Sequence, residues 1–220
     1  MREYHVLNTQ SHYPDTPTYM EALSGKNSEE YFKAMDDEIK ILMRRDTWDI
    51  VSRKSFADKN LLPGTWFLKC KRKPDCTIRE FKSRYCVRGD IQKRLSPKPL
   101  NSYSPVVQWA TVRLMLILQY ILGLHIQSID FTNTFSHADI PSVEPVFIEL
   151  PRYIKSYGVQ DNIVLKLKKS LYGQAEAARL WYEKLRNGLL ERGFVMSKVD
   201  PCMFISNNLI YVIYVDNCLF

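Results

Sequence analysis

Residues 209–220, LIYVIYVDNCLF, constrain the fold more than any other stretch, because a nearly continuous apolar run contains Asp216 and Asn217 side by side. β-Branched and aromatic residues favour strands, whereas Asp and Asn favour turns. The stretch therefore predicts a β-hairpin with its turn at 216–217. A carboxylate at the rim of a buried sheet must be solvated, paired or bound to a cation, so the same residues are also candidates for a metal site.

The remaining patterns indicate an α+β fold. Tyr31, Met35, Ile39 and Leu42 recur at helical spacing, and Ser28 is suited to cap that helix. The order of elements does not alternate βαβ, and it predicts an antiparallel sheet. The predicted segments are a loose leader over 1–27, a helix over 28–46, strands over 47–51, 65–72 and 78–89, a polar loop over 92–105, a buried helix over 109–123, a strand starting at 125, strands over 146–150 and 162–170, an amphipathic helix over 176–194, and further hairpins.

The composition indicates the type of partner and the cellular compartment. The 220 residues include 31 Lys and Arg against 24 Asp and Glu, a formal net charge of +7. This favours an anionic partner, nucleic acid before membrane, although many soluble proteins are as basic. The five cysteines lack zinc-site spacing and indicate free thiols in a reducing compartment. The most apolar stretch, 114–124, is too short to span a bilayer and no signal peptide is evident, so we expect a cytosolic or nuclear protein.

Two acids follow apolar strand segments: Asp130 after IQSI and Asp216 after IYVIYV. If neighbouring strands bring these carboxylates together, a divalent cation would relieve their repulsion. Such a pair can hold both ions in two-metal phosphoryl transfer. The alternative is that both acids are ordinary strand-end or turn residues.

A basic hairpin is a second candidate site. Cations alternate with aromatic residues along the strands predicted over 65–72 and 78–89, which suits phosphate binding and base stacking. The alternative is a solvated strand face. The cations are Lys69, Lys71, Arg72, Lys73, Arg79, Lys82, Arg84 and Arg88.

Several segments, in order, resemble reverse transcriptases of copia-type LTR retrotransposons. The resemblance runs from about residue 17 to residue 220. It implies a right-hand polymerase, with fingers over 28–108 and a partial palm over 109–220 whose sheet packs on helices, and with the thumb and RNase H regions absent. The segments are FKAMDDEIKILMRRDTWDIV, FKSRYCVRGDIQ, YSPVVQWATVRLMLILQYILGLHIQSIDFTNTF, LKKSLYGQAEAARLWYEKL, GFVMSKVDPCMFI and LIYVIYVDN.

The resemblance also implies chemistry and partners. The family synthesises DNA on a primed RNA or DNA template from deoxynucleoside triphosphates, with two Mg²⁺ ions that Mn²⁺ can replace. No membrane partner is implied. A parent polyprotein with integrase and RNase H domains is expected, in a cytoplasmic virus-like particle or in the nucleus.

By the same resemblance, Asp130, Asp216 and Asn217 occupy the catalytic positions. Asp130, the backbone carbonyl of Phe131, and Asp216 would be the metal ligands. Phe135 matches the aromatic residue that lies under the sugar and excludes a 2′-hydroxyl.

The nucleotide-binding positions implied by the resemblance lie in two segments. Lys82 and Arg88, with Arg84 as the near alternative, fall where the fingers contact phosphate. Tyr172 and Gly173 match the turn beside the incoming nucleotide and the template base.

Four residues depart from the family's pattern. Asn217 stands where an aspartate is usual, which lowers the expected metal affinity. Ala175 and Glu176 replace a basic residue and a glutamine, and Ala178 replaces Pro or Gly. An acid near a triphosphate is electrostatically unfavourable. The last strand is also expected to lack later partners and to leave an open edge.

Three functions remain open from the sequence. The first is a working reverse transcriptase fragment, a nucleotidyltransferase that is active within a longer product and weak or inactive in isolation. The second is a decayed remnant without catalysis. The third is a co-opted nucleic-acid-binding module. The departures and the expected truncation favour the second function for the isolated chain.

Overall fold

The computed structural model describes residues 15–55, 61–96, 98–141, 145–155 and 162–220. These ranges form helices and three sheets, so the predicted α+β class is confirmed. The helices are α1 Tyr19–Ser24, α2 Ser28–Arg44, α3 Gly89–Leu95, α4 Trp109–Leu122, α5 Arg152–Lys155 and α6 Ala177–Glu191. The strands are β1 Trp48–Ser52, β2 Leu61–Leu62, β3 Gly64–Arg72, β4 Ile78–Val87, β5 Ser128–Asp130, β6 Phe147–Ile148, β7 Ile163–Leu167, β8 Val195–Met196, β9 Met203–Ile205, β10 Ile210–Tyr214 and β11 Asn217–Leu219.

Internal contacts divide the chain into two units. The first unit comprises Met1–Arg88 and Phe147–Lys166, and the second comprises Gly89–Val146 and Leu167–Phe220. The sequence-based division at 108–109 into fingers and palm stays a prediction. Pairing of β2 with β6 and of β6 with β7 accounts for the second segment of the first unit, and such long-range pairing leaves no local signal in the sequence.

The first unit is built on the β3–β4 hairpin and α2. The two strands pair antiparallel along their length, which confirms the predicted hairpin. Tyr31 of α2 meets Phe81 of β4 edge-on, with ring centroids 4.8 Å apart. The apolar face predicted for this helix is buried. A second sheet has the order β1-β7-β6-β2, and its β2–β6 pair is parallel.

Two expectations for the start of the chain need correction. Asn27, not Ser28, occupies the N-cap of α2, and Ser28 is the first helical residue. The leader expected over 1–27 contains α1, which begins with a capping box in which Thr18 and Glu21 bond to each other's backbone N–H. Residues 1–14 lie outside the described ranges.

The second unit is built on an antiparallel sheet with the order β5-β11-β10-β9-β8. Strand β11 lies between β5 and β10, so the expectation that the last strand has an open edge is wrong. Helix α6 buries Leu180, Trp181 and Leu189, as its apolar pattern predicts. The main core of this unit consists of Val107, Met115, Tyr182, Leu189, Cys202, Phe204, Tyr211, Val212, Ile213 and Cys218.

Helix α4 is more exposed than its sequence predicts. Its apolar composition indicates a buried helix, yet only Thr111 and Met115 are buried, and Tyr120 is 90% exposed. When all faces are apolar, composition cannot tell which face meets the core. Gly123 ends the helix with φ 64°, as predicted. Among the described residues no helix combines the length and apolarity needed to cross a membrane.

Asp200, which the sequence reasoning did not single out, fixes the start of α4. Its carboxylate is fully buried and accepts hydrogen bonds from the backbone N–H groups of Gln108 and Cys202, at 3.0 and 2.9 Å, and from the hydroxyl of Thr111. A carboxylate is well suited to a helix N-terminus because of the exposed N–H groups there. Asp200 therefore links the start of α4 to the segment that leads into β9.

Candidate functional site

Strand pairing brings the predicted catalytic residues together at one edge of the five-stranded sheet. In the β5–β11 pair, Asn217 lies opposite Asp130. The backbone N–H of Phe131 donates to the carbonyl of Asp216 at 2.9 Å. Asp130, Asp216 and Asn217 are therefore neighbours, although the first two are 86 positions apart in the chain.

The hairpin turn lies one residue earlier than predicted. Tyr214 pairs with Asn217, so the turn consists of Val215 and Asp216 rather than of 216–217. Val215 has φ 55°. Two-residue hairpins require positive φ at one or both central positions, where glycine or asparagine is usual. A β-branched residue in this conformation is strained and has to be held by its surroundings.

The three side chains make an oxygen-rich but weakly charged group. Asp130 is exposed and Asp216 is half-buried. The amide of Asn217 donates to Oδ1 of Asp216 at 3.1 Å. Carboxylate and amide oxygens are the donors that Mg²⁺ takes from proteins, so these residues fit such an ion with two formal negative charges. Within the described part of the chain, no cluster of three or more His, Cys, Asp or Glu side chains is suited to hold a metal.

The backbone carbonyl of Phe131 is already engaged. It accepts a hydrogen bond from the hydroxyl of Thr134 at 2.7 Å. A carbonyl oxygen has two lone pairs, so one remains for a cation. The ring of Phe131 meets Trp181 edge-on, with centroids 5.0 Å apart.

Phe135 and Tyr172 are also brought together. Their rings meet edge-on with centroids 4.8 Å apart, and both are half-buried. The buried hydroxyl of Ser170 donates to the carbonyl of Phe135 at 2.7 Å. Ser170 thus helps to position the residue expected under the sugar. Gly173 has φ 80°, a conformation that favours glycine.

Helix α3 supports the 173–175 loop, a role that the sequence reasoning missed because it expected a polar loop from residue 92. The side chain of Gln92 accepts from the backbone N–H of Ala175 at 2.9 Å. Gly89 lies so close that a Cβ there would be 2.1 Å from the carbonyl oxygen of Gly173. A short helix beginning with a glycine gives a weak sequence signal.

We expect Gly89→Ala to lower the free energy of unfolding by about 1–3 kcal/mol, because the backbone at position 89 and the backbone at Gly173 must move apart. The amide exchange of Ala175 should become faster. Gly188→Ala, where the nearest atom to a Cβ is Arg192 Nη1 at 3.4 Å, is the matched control and should stabilise α6 by about 0.5–1 kcal/mol. Urea unfolding and amide hydrogen exchange measure both effects. Equal stabilities for the two variants would contradict the tight approach at Gly89.

Glu176 is less unfavourable for a nearby triphosphate than its negative charge alone indicates. Arg179 pairs with Glu176 at 2.8 Å and with Glu183 at 2.8 Å. The side chains of Arg179 and Glu176 are each 18% exposed. The negative charge of Glu176 is therefore balanced within α6 and its N-terminus.

The predicted phosphate-contacting residues belong to the first unit. Lys82 and Arg84 lie on β4 and are half-buried, and Arg88 follows that strand and is exposed. Lys82 lies directly opposite Lys69 on β3. Burial, and then the charges of Lys71 and Arg84, lower the pKa of Lys82 from its ordinary value. Like charges paired across strands are unfavourable, and a bound anion would relieve them.

An apolar cavity of about 300 Å³ adjoins this edge of the five-stranded sheet. Tyr214 and Asn217 line it together with apolar side chains of β10, β11 and the start of α4. Trp109, one of these, is 75% exposed. The cavity thus places an apolar surface beside Asn217.

Comparisons with known proteins show which family the chain resembles. Residues 45–220 match the family described as Reverse transcriptase (RNA-dependent DNA polymerase). The Retrovirus-related Pol polyprotein from transposon TNT 1-94 of Nicotiana tabacum is 30% identical, covering 90% of this chain and 15% of its own length. The polyprotein from transposon RE1 of Arabidopsis thaliana is 28% identical, covering 90% and 13%. The Ty1-ER2 Gag-Pol polyprotein of Saccharomyces cerevisiae is 28% identical, covering 97% and 12%.

Proposed function

Because the chain belongs to the reverse transcriptase (RNA-dependent DNA polymerase) family, we propose that it extends a primer on an RNA or DNA template from deoxynucleoside triphosphates. It spans 12–15% of the length of the transposon polyproteins compared above. A parent polyprotein with integrase and RNase H domains, in a cytoplasmic virus-like particle or in the nucleus, is part of this proposal. So are fingers within the first unit and the palm within the second.

The antiparallel pairing of β5 and β11 is the observation that supports this function best. It places Asp130 beside Asp216 and Asn217 and links Phe131 to Asp216 through the backbone. Asp130, Asp216 and the second lone pair of the Phe131 carbonyl would hold Mg²⁺ or Mn²⁺. Such ions, when bound, stabilise the charge on the transferring phosphoryl group and on the leaving group. Two carboxylates leave a second ion dependent on phosphate oxygens of the substrate.

The reaction is an in-line displacement. The primer 3′-oxygen forms a bond to the α-phosphorus of the nucleotide, the bond to the bridging oxygen breaks, and pyrophosphate leaves. The proton of the 3′-hydroxyl passes to solvent. Asp130 and Asp216 orient the reacting groups, and the water-exposed position of Asp130 leaves room for a substrate.

The remaining site residues would bind the nucleotide. Phe135, held by Tyr172 and Ser170, would lie under the sugar and collide with a 2′-hydroxyl. Gly173, in its turn conformation, would allow close approach of a base. Lys82, Arg84 and Arg88 would contact phosphate, as the facing Lys69–Lys82 pair favours.

A second candidate function is nucleic-acid binding without catalysis. Two observations favour it: the concentration of cations on the β3–β4 hairpin, and the neutral Asn217 in the carboxylate group. Binding through phosphate contacts weakens with salt in proportion to the number of contacts.

Primer extension on poly(rA)–oligo(dT) with Mg²⁺ or Mn²⁺ tests the proposed function. We expect weak incorporation by the unmodified chain, because the neutral Asn217 lowers the charge of the metal site. We expect Asp130→Ala to reduce this incorporation by roughly 100-fold or more, because the charge that holds the metal is lost. Asp139→Ala is the matched control, since Asp139 is an exposed acid paired with Lys184 at 2.8 Å. Its incorporation should stay unchanged.

Binding measurements on the same mixtures separate the alternatives. Salt-dependent retention of primer–template without incorporation, even after Asn217→Asp, would refute the polymerase and support the binding module. Absence of both activities would mark the chain as a remnant. Equal incorporation by Asp130→Ala and by Asp139→Ala would refute the assigned role of Asp130.

A further inference from the structure

Trp181 contacts both strand ends that carry the candidate metal ligands. Its indole N–H donates to the carbonyl of Val215 at 2.7 Å. Its ring packs edge-on against Phe131, 5.0 Å between centroids. Trp181 is only 5% exposed. A single buried side chain of α6 therefore links the turn that presents Asp216 to the residue that follows Asp130.

The turn needs such a link because of Val215. With φ 55° and a β-branched side chain, Val215 is outside the conformations that valine readily adopts. Strained residues of this kind persist when neighbouring groups hold them, and they cluster at functional sites. The described hydrogen bonds to this turn are those from Trp181 to the carbonyl of Val215, from Phe131 to the carbonyl of Asp216, and from the Asn217 amide to the Asp216 carboxylate.

We propose that Trp181 is a positioning residue that sets the spacing between Asp130 and Asp216 by anchoring the strained Val215 turn to Phe131. The inference rests on the proposed function for its catalytic meaning, since it concerns the same metal-binding edge. The anchoring of the Val215 turn by Trp181 does not depend on catalysis. Without the indole N–H, the turn relaxes, the Phe131–Asp216 hydrogen bond opens more often, and the carboxylates lose their fixed separation.

The simpler explanation is that Trp181 only fills the core around Ala138 and Leu180. Packing alone requires the aromatic ring but not its N–H group. Trp181→Phe removes the donor together with part of the ring, and the lost ring leaves a cavity under either explanation. The explanations therefore differ in whether relieving the strain of Val215 compensates for the loss. Val215→Gly provides that relief, because glycine adopts a positive φ without strain.

The test compares Trp181→Phe with Tyr182→Phe in the full chain. Tyr182 is the next residue of the same helix, and its hydroxyl donates to the carbonyl of Pro201 at 2.8 Å. Each variant thus loses one hydrogen bond from a buried aromatic side chain. Amide hydrogen exchange at Phe131 and Mn²⁺ affinity by electron paramagnetic resonance are measured for both. Trp181→Phe should raise the exchange rate of Phe131 roughly tenfold, the effect of one lost hydrogen bond, and should weaken Mn²⁺ binding several-fold.

Tyr182→Phe should change neither quantity, although urea unfolding should show a similar loss of stability. Adding Val215→Gly to Trp181→Phe should restore the slow exchange of Phe131. If Phe131 exchanges equally fast in the two single variants, or if Val215→Gly restores nothing, Trp181 is a core residue only. If the parent chain binds no Mn²⁺, the proposed function fails, while the exchange rates still decide the positioning role.

The unmodified chain provides a measurement that does not depend on a variant folding. The Trp181 indole N–H should exchange with solvent as slowly as the Phe131 amide, because both close the same turn. An indole exchange rate at least roughly 100-fold faster than that of Phe131 would overturn the anchoring role.

Discussion

Asn217→Asp is expected to tighten Mn²⁺ binding by roughly 10- to 100-fold and to raise primer extension by a similar factor. Asn217 lies opposite Asp130 and donates to the Asp216 carboxylate. An aspartate there adds a third negative charge at the cation site, and a charge at about 4 Å contributes roughly 4 kcal/mol at an effective dielectric constant near 20. Repulsion among three carboxylates in the metal-free protein offsets part of this gain, which sets the expected range.

The same change should lower stability when no metal is present. The hydrogen bond from the Asn217 amide to Asp216, 3.1 Å long, is lost, and like charges take its place. We expect a loss of about 1 kcal/mol in the free energy of unfolding without metal. Metal bound only by the folded state should reverse that loss as its concentration exceeds the Kd.

Isothermal titration or paramagnetic resonance with Mn²⁺, and thermal unfolding with and without the ion, measure these effects. Asn207→Asp is the matched control, since Asn207 is an exposed asparagine between β9 and β10 of the same sheet. It should leave Mn²⁺ affinity unchanged. Equal Mn²⁺ affinities for Asn217→Asp and the parent chain would contradict the assignment of this sheet edge as the metal site.

Asp200→Ala is expected to cause the largest loss of stability, about 3–4 kcal/mol. The carboxylate is 1% exposed and accepts hydrogen bonds from Gln108, Thr111 and Cys202. Its removal leaves three donors without this acceptor, and bonds to charged groups contribute about 1.5–3 kcal/mol each, with strong non-additivity. Helix α4 also loses the negative charge at its N-terminus, where a carboxylate is favourable.

Urea unfolding followed by circular dichroism measures this loss. Asp200→Asn is the matched control, because it keeps the shape and part of the hydrogen bonding, and it should cost about half as much as the alanine variant. A loss below about 1 kcal/mol for Asp200→Ala would show that water or nearby groups replace the carboxylate.

Predictions from local sequence patterns are confirmed where the pattern is compatible with a single local structure. The apolar spacing of Tyr31, Met35, Ile39 and Leu42 places these residues in the core of the first unit. The β3–β4 hairpin and the end of α4 at Gly123 were likewise visible in the sequence. In each case the signal lies within a few residues, so propensity and periodicity are sufficient.

Other features depended on partners distant in the chain. The exposed side of α4 could not be identified because the helix is apolar almost all round. The turn shifted from 216–217 to Val215–Asp216 because pairing of Tyr214 with Asn217 outweighs the preference of asparagine for turns. Asp200 and Gln92 gave no clear signal, since a buried polar side chain is recognisable only once its hydrogen-bond partners are known.

The sequence by itself determined the reverse transcriptase family and the α+β class, because motif order and residue pattern are local properties of the chain. Only the tertiary structure decided that β5 pairs with β11, which brings Asp130 beside Asp216, and that Trp181 contacts the strained turn at Val215. The physical reason is that strand register and side-chain packing depend on contacts between residues far apart in sequence. Those contacts exist only in the folded second unit.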